Sequence, residues 1–414
     1  MQNLLPHLFR SEFRKIVSVL CRQFGFEQME IAEDIASDTF MTAAQTWSLN
    51  GVPENPVAWL YAVARNKSNN LLLRDTTFRK KILPEIRQIT NDKECYDIDL
   101  SEQNITDSQL QMMFAICHPS ISVEAQVGLS LRILCGFGID EIADAFLTKK
   151  ETITKRLFRA KEKLREENIR IEMPPVHEID QRLGAVLTTI YLLFSEGYYS
   201  SSDNHILRKD FCLEAIRLCY MLVENPITDK SPVNALLSLM CFHASRFDAR
   251  IGENGELILY NDQDTSLWNM ELVNKGVYFL NRSSGGNFIS SYHLEAAIAY
   301  WHTRKEDSIE KWENILQLYN RLLQIRYSPV AALNRTFALS KVHGKEIAIG
   351  EAEKLQLINN HFYFTLLGEL YQDLNNNKSM ENFEKALLLA KTDTDKKTIL
   401  EKLERLNQML TRKR

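Results

Sequence analysis

No run of about 18 uninterrupted apolar residues occurs in this 414-residue sequence, so no hydrophobic helix of bilayer-spanning length is expected. A signal peptide's apolar core is missing too. Met1 to Phe24 is interrupted by Arg10, Glu12, Arg14, Lys15 and Arg22, the pattern of an amphipathic helix. The expectation is a cytoplasmic protein that touches no membrane. No Cys-x-x-Cys pair occurs among the seven cysteines, Cys21, Cys95, Cys117, Cys135, Cys212, Cys219 and Cys241. An odd number without paired spacing points to free, mostly buried thiols in a reducing compartment. Cys117-His118 has no second pair at ligand spacing, so a buried thiol and a helix-starting Pro119 explain it better than a metal. GxxxxGK[ST] and GxSxG are both absent. With no catalytic set in view, the chain is not expected to be an enzyme or to need a cofactor.

A positive net charge is also lacking, since the formal value is −4. The distribution matters more than the sum. Arg65 to Arg87 carries seven Lys/Arg against Asp75 and Glu85, and Lys149 to Arg170 carries nine against four acids. These are either two solvated faces or two nucleic-acid footprints. What is present in quantity is ordinary globular material, 45% hydrophobic and 25% charged. At roughly 100–200 residues per domain the length suggests two to four domains.

Helical periodicity dominates, and the fold class expected is all-α and multidomain. Residues 1–75 read as helices with a break at Asn50-Gly51-Val52-Pro53. Residues 76–115, with the acid-rich stretch Asp92 to Asp107, read as a linker, and 116–172 as helical again. Pro174-Pro175 punctuates the chain. Beyond it, 183–290 reads as a helical extension and 291–414 as helical repeats, with a short hairpin expected at Ala249–Tyr260 around Gly252-Glu253-Asn254-Gly255. In the last segment Leu333, Phe337, Ile349, Ala352 and Leu355 recur as Leu367, Tyr371, Phe383, Ala386 and Leu389, always 34 positions on. That is the tetratricopeptide period, one helix–turn–helix per repeat, and such repeats can also hold a protein partner.

Ile139 to Phe146 reads as a short helix and Leu147 to Lys150 as a turn. A second helix is expected from Glu151, with Thr148 and Glu151 as a capping box. Ile153, Leu157, Ala160 and Leu164 share one face of it; Thr152, Lys155, Arg156, Arg159 and Lys163 share the other. This is the layout of a helix-turn-helix, whose second helix enters the major groove and donates to guanine edges and phosphates. A purely structural helical hairpin has the same pattern.

Upstream, Ala32, Ala36, Phe40, Ala43 and Trp47 lie on one side of a helix, with Glu27, Glu30, Asp34 and Asp38 opposite. An acidic stripe repels phosphate, so it is either solvated or faces a basic protein surface. The next helix, about Pro56 to Arg74, has Leu60, Val63, Ala64 and Leu71 as its apolar stripe, with Arg65, Asn66, Asn69 and Asn70 projecting away. Such amides are poor helix formers and both donate to and accept from exposed base edges. The loop Asn50–Asn55 could cup an extruded base; Trp59 reads as core.

Ala32-Glu33-Asp34 through Phe40 and Ala44, then Asn55-Pro56-Val57-Ala58-Trp59-Leu60-Tyr61-Ala62-Val63-Ala64-Arg65-Asn66, resembles conserved region 2 of sigma factors. Leu131-Arg132 through Gly136, Glu141-Ile142-Ala143, Ala145-Phe146-Leu147, Thr152 and Arg156-Leu157-x-Arg159-Ala160-Lys161 resembles region 4. No third sigma domain fits between them, as in the extracytoplasmic-function group of the sigma-70 family. Leu192-x-Phe194-x-Glu196-Gly197-Tyr198, Asp262-Gln263-Asp264 with Trp268, and Ser328-Pro329-Val330 with Leu333-Asn334-Arg335 are similar to a subgroup with a tetratricopeptide-like C-terminal extension. Thr265, Glu295 and Lys149-Lys150-Glu151 depart from that subgroup's usual residues.

The resemblance implies a factor that carries core RNA polymerase to promoter DNA. Glu30, Asp34 and Asp38 would bind the clamp helices of the largest subunit. Arg65, Asn66, Lys67, Asn69, Asn70 and Arg74 would face the −10 element and its melted strand. Lys149, Lys150, Thr152, Lys155, Arg156, Arg159 and Lys163 would read the −35 element beside the polymerase flap. The acidic linker would lie in the RNA-exit path, and the extension would regulate initiation. Two alternatives stay open: a free-standing helix-turn-helix regulator, and a ligand-sensing or enzymatic segment at 183–290 using Glu196, Asp262 and Asp264.

Overall fold

A computed structural model describes residues 4–74, 98–146, 148–198, 208–250, 252, 258, 260–286 and 288–412. Every regular element among these residues is helical. The hairpin expected at Ala249–Tyr260 falls largely on 251, 253–257 and 259, outside the described residues, as do 76–97 of the linker and the basic run beyond Arg74. Among the described residues no helix is long and apolar enough to cross a membrane. All the cysteines described are free and buried, and Cys95 lies outside the described residues.

The chain divides into two compact units: Met1–Glu196 with Leu213–Thr228, and Gly197–Cys212 with Asp229–Arg414. The division does not fall at Pro174-Pro175, and it crosses the 183–290 segment.

In the first unit α1 (Leu4–Phe24) buries Phe13, Ile16, Val17 and Leu20 against α2 (Met29–Asn50), which buries the predicted stripe Ala32, Ala36, Phe40, Ala43 and Trp47. Gly51 at φ 82° ends α2, a left-handed position that suits glycine. α3 (Pro56–Arg74) follows, with Leu60 and Ala64 buried. Trp59 meets Trp47 edge-on at 5.4 Å but is only half-buried, so it lies at the margin of the core rather than inside it as read.

The acidic-linker reading needs correcting over its second half. Residues 102–116 form α4 (Glu102–Ile116), capped by Ser101, which accepts the Asn104 N–H at 3.4 Å. Its Ile105, Leu110, Met112, Met113 and Phe114 are buried against α1. The acids of this stretch sit in its first turns and on its outer face, so counting charge hid the apolar stripe.

α5 (Val123–Leu129) runs into one π-helical turn at Ser130–Leu134. α6 (Ile139–Ala145) and α7 (Lys150–Glu166) form the expected helix pair, with Ile153, Leu157, Ala160 and Leu164 buried. The Thr148/Glu151 capping box is not formed. The Thr148 N–H donates to the Ala143 carbonyl at 3.0 Å, which holds this residue in the preceding turn and leaves Lys149 as the cap position, without a side-chain bond. Glu141 does the equivalent work for α6, accepting the Gly138 N–H at 2.8 Å.

Two extension helices belong to the unit, α8 (Val176–Tyr198) over most of its length and α9 (Lys209–Glu224) over its greater part. The Arg182 guanidinium donates to the Phe114 carbonyl at 2.7 Å, and the Thr189 hydroxyl donates to Gln126 at 2.9 Å. Glu214 pairs with Arg14, and Arg217 donates to the Leu134 carbonyl at 2.7 Å.

The second unit contains α10 (Ser231–Ala244), α11 (Met270–Ser283), α12 (Ser291–Trp301), α13 (Ile309–Ile325), α14 (Pro329–His343), α15 (Lys345–Leu355), α16 (His361–Tyr371), α17 (Asn376–Leu389) and α18 (Asp393–Arg412). From α12 onward each helix packs on the next. Residues 34 positions apart share burial: Leu333 with Leu367, and Ala352 with Ala386. α16 and α17 approach closely because Gly368 has no side chain; a Cβ there would stand 2.7 Å from the Phe383 ring.

Candidate nucleic-acid interface

Burial of the apolar stripe of α7 turns its polar face outward. Thr152, Lys155, Arg159 and Lys163 are exposed, and Arg156 is half-buried with its guanidinium 6.0 Å from the Phe146 ring. With Ser120, Ile121, Ser122 and Ala125 these five side chains line an open groove of about 480 Å³. Sequence reasoning singled out the basic side of this groove and missed its serine wall. Ser122 accepts the Ala125 N–H as the cap of α5, and the Ser120 hydroxyl lies 2.8 Å from His118 Nδ1. That bond commits the His118 ring locally, and burial pushes the Cys117 thiol up to about 11. Lys149 and Lys150 lie outside the groove lining; both are exposed, and Lys150 pairs with Asp140 at 2.9 Å. Lys163 is also engaged, 2.8 Å from Glu167.

On α3 Asn66 and Asn70 are exposed, while Arg65 and Asn69 are half-buried. Arg65 Nε donates to the Ile98 carbonyl at 3.0 Å, so this guanidinium anchors the chain returning into α4. Asn69 Oδ1 is buried and has no hydrogen-bond partner among the described residues. The side chain of Arg74 lies outside the described residues. Lys67 approaches Asp38 at 3.9 Å, which brings a basic residue of α3 against the acidic face of α2.

That acidic face is divided in use. Asp34 and Asp38 are exposed. Glu30 is not free: it pairs with Arg165, and Lys161 stands 3.9 Å away. Glu33, which the stripe Glu27–Asp38 had passed over, takes Lys161 at 3.0 Å and Arg132 at 3.6 Å. The only signal for this in the sequence is that Lys161 and Arg165 are four apart on α7, flanking its apolar stripe.

Of the carboxylates in the ligand-sensing or enzymatic alternative, Glu196 is half-buried and Asp262 and Asp264 are exposed. Burial raises the pKa of Glu196. Asp264 accepts the Ser266 N–H at 2.8 Å as a cap, and that backbone bond lowers its pKa. Among the described residues no group of three or more His, Cys, Asp or Glu is placed to hold a metal ion.

Comparison with known proteins gives a relationship without an activity. Residues 182–284 match a family of unknown function (DUF6596), spanning most of α8 through the end of α11. No solved structure matches the chain. Uncharacterized protein R00370 of Rhizobium meliloti (strain 1021) is 32% identical over 372 residues, covering 88% of this chain and 87% of the relative. The match runs through nearly the whole of both chains, so this protein belongs to the same family as R00370.

Proposed function

We propose that this protein is a transcription initiation factor of the sigma-70 type, in the extracytoplasmic-function group, which binds core RNA polymerase and directs it to promoter DNA. In this reading α2 docks on the clamp helices through Asp34, Asp38 and Glu30. The exposed amides Asn66 and Asn70 hold the opened −10 strand. The groove of α7 grips the −35 element through Thr152, Lys155, Arg156, Arg159 and Lys163, near the polymerase flap. The observation that carries the reading is the pairing, in one compact unit, of an exposed acidic helix face with a basic, open groove on a helix-turn-helix. A nucleic-acid binder that works alone has no use for the first: carboxylates repel phosphate, and they suit a cationic protein surface. In the second unit, α14–α15 and α16–α17 are read as tetratricopeptide-like repeats that regulate initiation or hold a protein partner. Their matching burial at the 34-residue period supports this.

The test is transcription in vitro from a genomic promoter pool with core polymerase and the full-length chain. Defined start sites are expected. Lys155→Glu with Arg159→Glu should reduce them by roughly 100-fold or more, since each base or phosphate contact of this kind contributes about 1–3 kcal/mol. Both side chains are exposed, so the fold should survive. A chain that yields no start site from any promoter contradicts the proposal.

A further inference from the structure

The sigma reading, on which this inference rests, leaves unused the charges that join the C-terminal turns of α7 to α2. Lys161 is only 8% exposed, and a lysine is rarely so buried unless it is paired. It reaches Glu33 at 3.0 Å and Glu30 at 3.9 Å, across 128 and 131 positions of sequence. Arg165, one turn on, pairs with Glu30, and its Nε donates to the Phe26 carbonyl at 2.9 Å. Arg132 completes the set, 3.6 Å from Glu33. Both oxygens of Glu30 therefore face cations of this same chain, whereas Asp38 meets Lys67 at 3.9 Å through one oxygen. Asp34 and Asp38, one and two turns further along α2, stay exposed.

We infer that the end of α7 is a clasp: Lys161 and Arg165 occupy the acidic face of α2 in place of the polymerase's basic surface, and the free chain must release α7 before α2 docks fully. The geometry makes the exchange feasible. The Glu30 side chain is 50% exposed, so an incoming cation can reach it, and partly exposed ion pairs are weak and screened by salt. The exposed Asp34 and Asp38 offer the first contact, and Glu30 is then won by displacement; Glu33, whose side chain is only 16% exposed, serves to hold Lys161 and is not part of the docking face. Releasing α7 would also free its DNA groove to move away from α2, so polymerase binding and −35 recognition would be coupled.

Zero-length carbodiimide cross-linking of the full-length chain, read by mass spectrometry, tests this directly. The free chain should give a Lys161 amide to Glu33 or Glu30. Saturating core polymerase should reduce that product at least fivefold. Lys161→Gln with Arg165→Gln, and separately Glu33→Gln on the opposite helix, should bind core roughly tenfold more tightly than the unaltered chain, as expected when a closed state of about 90% is abolished. Thermal melts identify any variant that has merely unfolded, and two variants on different helices keep the test alive if one does. No Lys161 cross-link in the free chain, an undiminished cross-link in the complex, or folded variants that bind no better would overturn the clasp. A cross-link in the free chain, with no core binding by any folded variant, would instead overturn the sigma reading and remove polymerase as the competing surface.

Discussion

In the first unit, charges from distant parts of the chain meet as ion pairs: Arg14 with Glu214, Arg10 with Glu141, Lys161 with Glu33. In the second, ion pairs such as Arg282 with Asp229 and Lys402 with Glu369 span shorter stretches of sequence, and one interior cluster joins aromatic rings, a lysine and histidines. His302 meets Tyr260 edge-on at 5.3 Å and Trp312 at 6.1 Å. Lys311, 2% exposed, stands 5.4 Å from the Tyr260 ring and donates to its hydroxyl at 3.2 Å. Paired charges can be traded for a partner's charges, whereas buried rings cannot be traded without exposing a core.

The largest expected effect breaks the first half of that contrast. The Arg14 and Glu214 side chains are 9% and 16% exposed. Burial works against the Glu214 carboxylate, but Arg217 and Arg14 together outweigh it and hold its pKa below the usual value. Glu214→Leu strands the Arg14 guanidinium and should cost about 3–5 kcal/mol in chemical denaturation. Arg14→Met should cost less, because Arg217 still reaches Glu214 at 2.8 Å. The double variant should recover much of the loss. Equal costs for both single variants would mean that the pair is not what joins α9 to α1.

A smaller effect sharpens the second half. Burial, with Arg246 and Lys311 nearby, pushes His302 down from 6.5 to about 3, and His243 is lowered in the same sense by burial and by Arg246. Above pH 6.5 neither state of His302 is protonated. As pH falls from there toward 3 the unfolded chain binds a proton that the folded chain refuses, so stability is lost on acidification. The slope is about 1.4 kcal/mol per pH unit for each such histidine. His302→Phe should flatten the acid-side fall by about that amount, read as amide exchange in α12 and α13 between pH 6.5 and 4. An unchanged slope would place His302 in contact with water.

Much of this arrangement was legible because it is local. The buried stripes of α2 and α7 follow from 3.6-residue spacing, and at the 34-residue period Leu333 and Leu367, and Ala352 and Ala386, are alike in burial. α4 was obscured because its acids were counted and its Ile105, Leu110, Met113 and Phe114 were not. The Thr148/Glu151 cap was misplaced because the motif ignores which backbone group the preceding turn consumes. The Glu30 and Glu33 pairings were out of reach: their partners lie 99 to 135 positions away, and an acidic stripe does not say whose cations it meets. The serine wall of the α7 groove is tertiary for the same reason.

The proposed docking of α2 on core RNA polymerase can be checked by measuring core binding at moderate salt with and without Asp34→Lys and Asp38→Lys. Both side chains are exposed, so melting should change little. The account predicts that the unaltered chain associates and that the double variant loses at least 100-fold in affinity, about 1.4 kcal/mol for each factor of ten. Equal binding by the two chains, or no binding by either once Lys161 and Arg165 have been neutralised, would contradict it.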